Sequence, residues 1–127
     1  DVESRGLGDV YKRQDADGVY VSVSHSGPYA VCAVADVPVG VDVEVIRSAD
    51  EKFMRRVCSE AEMAYIRVGD DGDCARFWEI WTAKESLFKL TGKGPLLTLS
   101  RLALPEGVVL DHIREKGCAL TTALRLR

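Results

Sequence analysis

Asp42 and Glu44 stand two residues apart in VGVDVEV, with Val41, Val43 and Val45 between and beside them. Residues two apart on a strand project from one face, roughly 7 Å apart along the chain. Two carboxylates so placed could share one hard cation, because Mg²⁺ prefers oxygen ligands. A strand with one wet face shows the same alternation, so the spacing leaves both readings open. Lys84 and Glu85 are sharper signals. Projected at about 100° per residue, Phe77, Trp78, Ile80, Trp81, Leu87 and Phe88 form a broad apolar arc, and both charges fall inside it. Lysine and glutamate are rarely fully buried without a partner. Lys84 snorkelling along the apolar surface, or Glu85 pairing with Lys89 four residues on, would also account for them. Ser24-His25-Ser26 runs into Gly27-Pro28, so that hydroxyls, an imidazole and turn amides could cradle a phosphate; turn chemistry alone gives the same tripeptide.

The elements that would position these groups can be read along the chain. Val19, Val21 and Val23 alternate with Tyr20, Ser22 and Ser24, which predicts a half-buried strand with its valines inward. Tyr29 to Ala35 is a continuous apolar run, expected to be a central strand covered on both faces. Val39 to Ile46 is a third strand. Two short helices follow, Asp50 to Val57 and Ser59 to Arg67, the second opened by a capping box in which Ser59 and Glu62 are three apart. Val68 to Cys74 is a polar loop. The longest helix runs from Ala75 to Thr91 and stops at Gly92, with Glu79, Thr82 and Ser86 expected on its wet side. Leu97 to Leu104, Val108 to Arg114 and Cys118 to Leu126 read as strands, the last two joined by a turn at Glu115-Lys116-Gly117. Strands, then helices, then strands argue an α+β fold, an antiparallel sheet packed against the long helix. Asp1 to Gln14 carry no sustained period and are set aside as a non-native or disordered tail, leaving residues 15–127 as the domain.

Composition removes several function classes. With 127 residues, 46% of them hydrophobic and 29% charged, the chain fits one globular domain. A net charge of −3 with scattered basic residues gives no nucleic-acid footprint. No apolar run approaches the ~20 residues that span a bilayer and no signal-peptide pattern opens the chain, so a cytoplasmic protein without a membrane partner is expected. Cys32, Cys58, Cys74 and Cys118 form no CxxC pair and are expected as free thiols. There is no GxSxG elbow for a serine hydrolase, and Gly92-Lys93-Gly94 lacks the glycine spacing of a Walker loop.

The motifs occur together in a known order. SVSHSGPYAVCAVA (22–35), VGVDVEVI (39–46), CSEAE (58–62) and FWEIWTAKESLFKLTGKG (77–94) resemble the 4′-phosphopantetheinyl transferase superfamily, whose pattern W-[ST]-x-K-E-[AS]-x-x-K-x-x-G-x-G the last stretch follows. The D-x-E spacing of Asp42 and Glu44, in place of D-x-x-E, is similar to the larger, pseudo-dimeric branch that serves peptide and polyketide synthetases. The resemblance implies one half of a pseudo-twofold fold. That branch has a further N-terminal half with basic residues and a G-K-P-like segment that has no counterpart in this sequence.

Residue by residue, the resemblance implies Mg²⁺ carboxylates at Asp42, Glu44 and Glu85. It implies coenzyme A phosphate contacts at Ser24 and His25, and pyrophosphate contacts at Lys84 and Lys89. Glu62 matches an acid near the active centre. The implied reaction moves phosphopantetheine from coenzyme A, the co-substrate, to a serine of an acyl or peptidyl carrier protein and releases 3′,5′-ADP. Glu85 would take the serine proton directly or through water, with Lys89 and Glu62 also catalytic. A non-catalytic coenzyme A or carrier-protein binding fragment and an unrelated Mg²⁺-dependent phosphohydrolase are the alternatives. A chain of this extent is expected to turn over poorly by itself and to expose apolar surface that favours self-association.

Overall fold

Two strands of matched length meet at Gly27, whose backbone takes φ +54° and so suits a residue without a side chain. They are β1 (Tyr20–Ser26) and β2 (Tyr29–Ala35), paired antiparallel from Tyr20 opposite Ala35 to Ser26 opposite Tyr29. The computed structural model describes residues 18–69, 72, 74–92 and 104–127. The expected tail at 1–14, Lys93 and all but the last residue of the strand expected at 97–104 lie outside them.

A second antiparallel sheet has the order β3-β5-β4, from β3 (Val39–Val45), β4 (Val108–Glu115) and β5 (Cys118–Arg125). Its β4–β5 hairpin turns on Lys116 and Gly117, both at positive φ (51° and 78°), where glycine costs least. Asp42 lies opposite Thr121, and Thr121 opposite His112.

Between β3 and β4 the described residues form three helices: α1 (Glu51–Val57), α2 (Glu60–Val68) and α3 (Ala75–Thr91). The capping box at α2 is formed. The Ser59 hydroxyl accepts from the Glu62 amide at 3.2 Å, and a Glu62 carboxylate oxygen accepts from the Ser59 amide at 2.8 Å. Helix α3 ends as expected at Gly92, in the left-handed conformation, its N–H donating to Phe88 O at 2.7 Å. The core lies where α3 meets the other helices, with Met54, Val57, Met63, Ile66, Phe77 and Trp78 packed together and Ala119 of β5 beneath. Each such large apolar side chain contributes roughly 1.5–3 kcal/mol by leaving water.

Three sequence expectations are corrected here. The inward side chains of β1 are Ser22 and Ser24, with Val21 and Val23 only half-buried, because the serine hydroxyls meet β3. Among the described residues β2 pairs only with β1, so it is an edge strand, with Ala30, Cys32 and Val34 exposed. Thr82 and Ser86 are fully buried because α3 is covered on two sides, by helices on one and by the β3-β5-β4 sheet on the other. Thr82 meets Thr121 hydroxyl to hydroxyl at 2.7 Å.

Helix α3 can lie this close to the sheet because of Gly40. A β-carbon there would stand 2.1 Å from Ser86 O and 2.9 Å from Leu90 N. The glycine of VGVDVEV is therefore a close-approach residue, one position before Val41 and two before the first acid.

Candidate functional site

The seam between β1, β3 and α3 gathers most of the charged residues singled out in the sequence. Asp42, on β3 under α3, is 5% exposed. Its Oδ1 accepts from the Ser24 hydroxyl at 3.0 Å and from Lys89 Nζ at 3.4 Å, whereas Oδ2 is buried without a hydrogen-bond partner. Burial pushes the Asp42 carboxyl up to about 8, against the pull of Lys89; the charges of Glu85 and Glu44 push it further, and the Ser24 hydrogen bond opposes them. Those contributions place Glu85 and Glu44 in the electrostatic neighbourhood of Asp42.

Glu44 is held by three donors. Its Oε1 accepts from the Ser26 hydroxyl at 3.1 Å and from Arg47 at 3.2 Å, and its Oε2 accepts from Trp81 Nε1 at 3.1 Å. Arg47 is itself fixed, its guanidinium 3.9 Å over the Trp78 ring and its carbonyl accepting from Trp78 Nε1 at 2.7 Å. Glu85, on α3, is 7% exposed. Among the described residues no group of three His, Cys, Asp or Glu is spaced to hold a metal ion, so the three acids are neighbours without forming a ligand cage. The donor chemistry suits a hard cation all the same: the set is carboxylate oxygen throughout, and Asp42 Oδ2 is an acceptor with nothing to accept.

The two lysines have separate destinations. Lys89, 6% exposed, donates to Val23 O and Val41 O at 3.0 Å each, besides Asp42, and so ties β1 and β3 to α3. Lys84 is 0% exposed and donates to Val57 O at 2.5 Å and to Glu62 Oε1 at 2.8 Å. Lys84 thus joins α3 to the end of α1 and the start of α2, on another side of the helix from Asp42. The same pair bears on the neighbouring Cys58 thiol, which burial pushes up to about 11. Ser24 turns inward while His25 is exposed, as consecutive strand residues must, so their side chains do not line one cradle.

Sequence reasoning passed over Ser22, Arg47 and Trp81, and it read Ser26 as part of a phosphate cradle where the structure has it bonded to Glu44 and the Val45 amide. The available signal was two runs of period two: Ser22, Ser24, Ser26 on β1 and Gly40, Asp42, Glu44 on β3.

The family model of the 4′-phosphopantetheinyl transferase superfamily matches residues 38–112, from the start of β3 into β4 and more than half of the sequence. The chain belongs to that superfamily. It is 32% identical over 83 residues to the 4′-phosphopantetheinyl transferase gsp of Aneurinibacillus migulanus, covering 65% of this chain and 35% of the relative. It is 30% identical over 91 residues to the transferase Sfp of Bacillus subtilis (strain 168), covering 71% and 41% respectively. To psf-1 of Bacillus pumilus it is 37% identical over 93 residues, covering 72% and 40%. The chain therefore spans about two fifths of the length of the curated relatives it matches, consistent with half of a pseudo-twofold molecule. Among the described residues no helix is long and apolar enough to cross a membrane.

Proposed function

We propose that this chain carries the acidic strand and the lysine–glutamate helix of a 4′-phosphopantetheinyl transferase. The whole protein moves 4′-phosphopantetheine from coenzyme A to a serine of an acyl or peptidyl carrier protein and releases 3′,5′-ADP. The observation that carries this reading is Asp42: a buried carboxylate with one oxygen unpartnered, beside two further acids that push its pKa up. A cation at this site would take the place of the proton that burial and the two neighbouring acids keep on Asp42, and an all-oxygen set favours Mg²⁺. Asp42, Glu44 and Glu85 would hold it. When bound it offsets the charge of the pyrophosphate bridge.

The chain's own residues supply positioning and charge, on which phosphoryl transfer chiefly depends. Glu85 takes the proton from the carrier serine, directly or through water, as the serine oxygen attacks the β-phosphorus of coenzyme A. Lys89, already beside Asp42, exchanges a backbone acceptor for a phosphate oxygen and balances charge on the departing 3′,5′-ADP. His25, exposed at the end of β1, meets a coenzyme A phosphate, and Ser24 fixes Asp42. Lys84 with Glu62 holds α2 against α3 and acts through position. This reading places the protein in the cytoplasm with coenzyme A.

One observation favours a second reading, a coenzyme A or carrier-protein binding fragment without turnover: both lysine ammoniums already have acceptors within the protein. Mass spectrometry separates the two. An apo carrier protein incubated with coenzyme A, Mg²⁺ and the product of the full open reading frame gains one phosphopantetheine under the first reading, with 3′,5′-ADP released. An unmodified carrier with intact coenzyme A overturns the first reading and supports the second; an unmodified carrier with coenzyme A cleaved means a hydrolase.

A further inference from the structure

β3 pairs with β5 on one edge, and in an antiparallel pair only alternate residues exchange hydrogen bonds with the partner strand. The amides of Val41, Val43 and Val45 face the other way. β1 meets them with side chains in place of backbone. Ser22 Oγ accepts from Val41 N at 3.0 Å, Ser24 Oγ from Val43 N at 3.2 Å, and Ser26 Oγ from Val45 N at 3.1 Å. The offset is the same 19 residues at each rung, so β1 and β3 run parallel with hydroxyls bridging them. Each of the last two rungs also donates. Ser24 gives its proton to Asp42 and Ser26 gives its proton to Glu44, in both cases the acid preceding the amide it accepts from. The first rung stands beside Gly40, which has no side chain to receive one.

A serine hydroxyl has a single proton to donate. Once Oγ is fixed by an amide of β3, that proton is directed to one carboxyl oxygen of the preceding acid, which is drawn to a defined place. Buried polar groups held on both sides in this way are rigid.

We propose that Ser24 and Ser26 are positioning residues for Asp42 and Glu44. The β1–β3 seam presets the two carboxylates for a divalent cation, and Ser22 is a purely structural rung of the same seam. The inference rests on the reading of Asp42 and Glu44 as cation ligands. Groups that orient ligands in this way typically alter metal affinity by about 10–100-fold when removed.

The test uses the 127-residue chain with Mn²⁺ as the probe, read by paramagnetic broadening in NMR titrations, and amide hydrogen exchange at Val41, Val43 and Val45 in the same samples. Ser26→Ala is expected to speed exchange at Val45 and weaken Mn²⁺ binding about tenfold or more, with Ser26→Thr restoring both because it keeps the hydroxyl at a half-buried position. Ser22→Ala is expected to speed exchange at Val41 while leaving Mn²⁺ affinity within about twofold. If circular dichroism shows Ser26→Ala unfolded, Ser26→Cys, which keeps the size but donates weakly, takes its place in the comparison. Faster exchange at Val45 with unchanged Mn²⁺ affinity overturns the proposal and leaves the seam as glue between sheets. Absence of Mn²⁺ broadening around Asp42 and Glu44 in the unmutated chain overturns the cation reading and the proposal with it, and the exchange data then report whether the seam itself exists.

Discussion

Lys84→Met removes the ammonium of a side chain that is 0% exposed while keeping nearly its length. Val57 O, at 2.5 Å, and Glu62 Oε1, at 2.8 Å, each lose a donor. Glu62 keeps its capping bond from the Ser59 amide, but its charge loses the cation beside it. Breaking a buried ion pair from one side costs about 3–5 kcal/mol. The Glu62 side chain is 13% exposed, so some solvation persists and the lower end, about 3 kcal/mol, is expected. Against a typical domain stability of about 5–15 kcal/mol this is a large fraction that still permits folding. Glu62→Gln keeps an acceptor for both Ser59 and Lys84 and is expected to cost about 1–3 kcal/mol. The double variant should then show a coupling of roughly 0.5–3 kcal/mol. The assay is urea denaturation followed by tryptophan fluorescence, since Trp78 and Trp81 both lie on α3. If Lys84→Met unfolded at the same urea concentration as the unmutated chain and lost only coenzyme A affinity, Lys84 would be a ligand contact and the positioning role assigned to it would be wrong.

Two further outcomes are expected. Gly40→Ala should destabilise the chain by about 1–3 kcal/mol or more, because its β-carbon would meet backbone atoms of α3 and nothing there can rotate away; an unchanged urea midpoint would refute the close approach. Asp42, whose carboxyl titrates near 8 when folded and near 3.9 when unfolded, holds a proton in the native state across that interval, so stability should fall as pH rises from about 4 to about 8 and level off above. Asp42→Asn should flatten this slope, and urea midpoints showing the same pH dependence in both proteins would remove Asp42 as its source.

Much of the scaffold could be read before any coordinates. The Ser59–Glu62 box and the Gly92 stop are local signals, and local chemistry placed the ends of α2 and α3 to within a residue. The errors concern what lies opposite an element. Alternation on β1 separates its valines from its serines, but cannot say which side is inward when the inward side bonds to amides nineteen residues away. β2 has the composition of a central strand, yet its composition carries no information about how many neighbours it has. Thr82 and Ser86 look like a wet helix face until a sheet covers them.

The two lysines make the point for the site. The arc on α3 flagged Lys84 and Glu85 together, and the family pattern groups Lys84 with Lys89. A helix turns about 100° per residue, so Lys84 and Lys89, five apart, diverge by about 140°, whereas Glu85 and Lys89, four apart, lie within about 40°. Glu85 and Lys89 should therefore attend the same group, and both act on Asp42, with opposite effects on its proton. Lys84 must find a different partner, and the side of α3 it occupies faces α1 and α2, where Val57 O and Glu62 receive it. The wheel that drew attention to both charges in the apolar arc already separated their destinations; what it lacked was the position of β3, which Gly40 admits to within touching distance of Ser86 and Leu90.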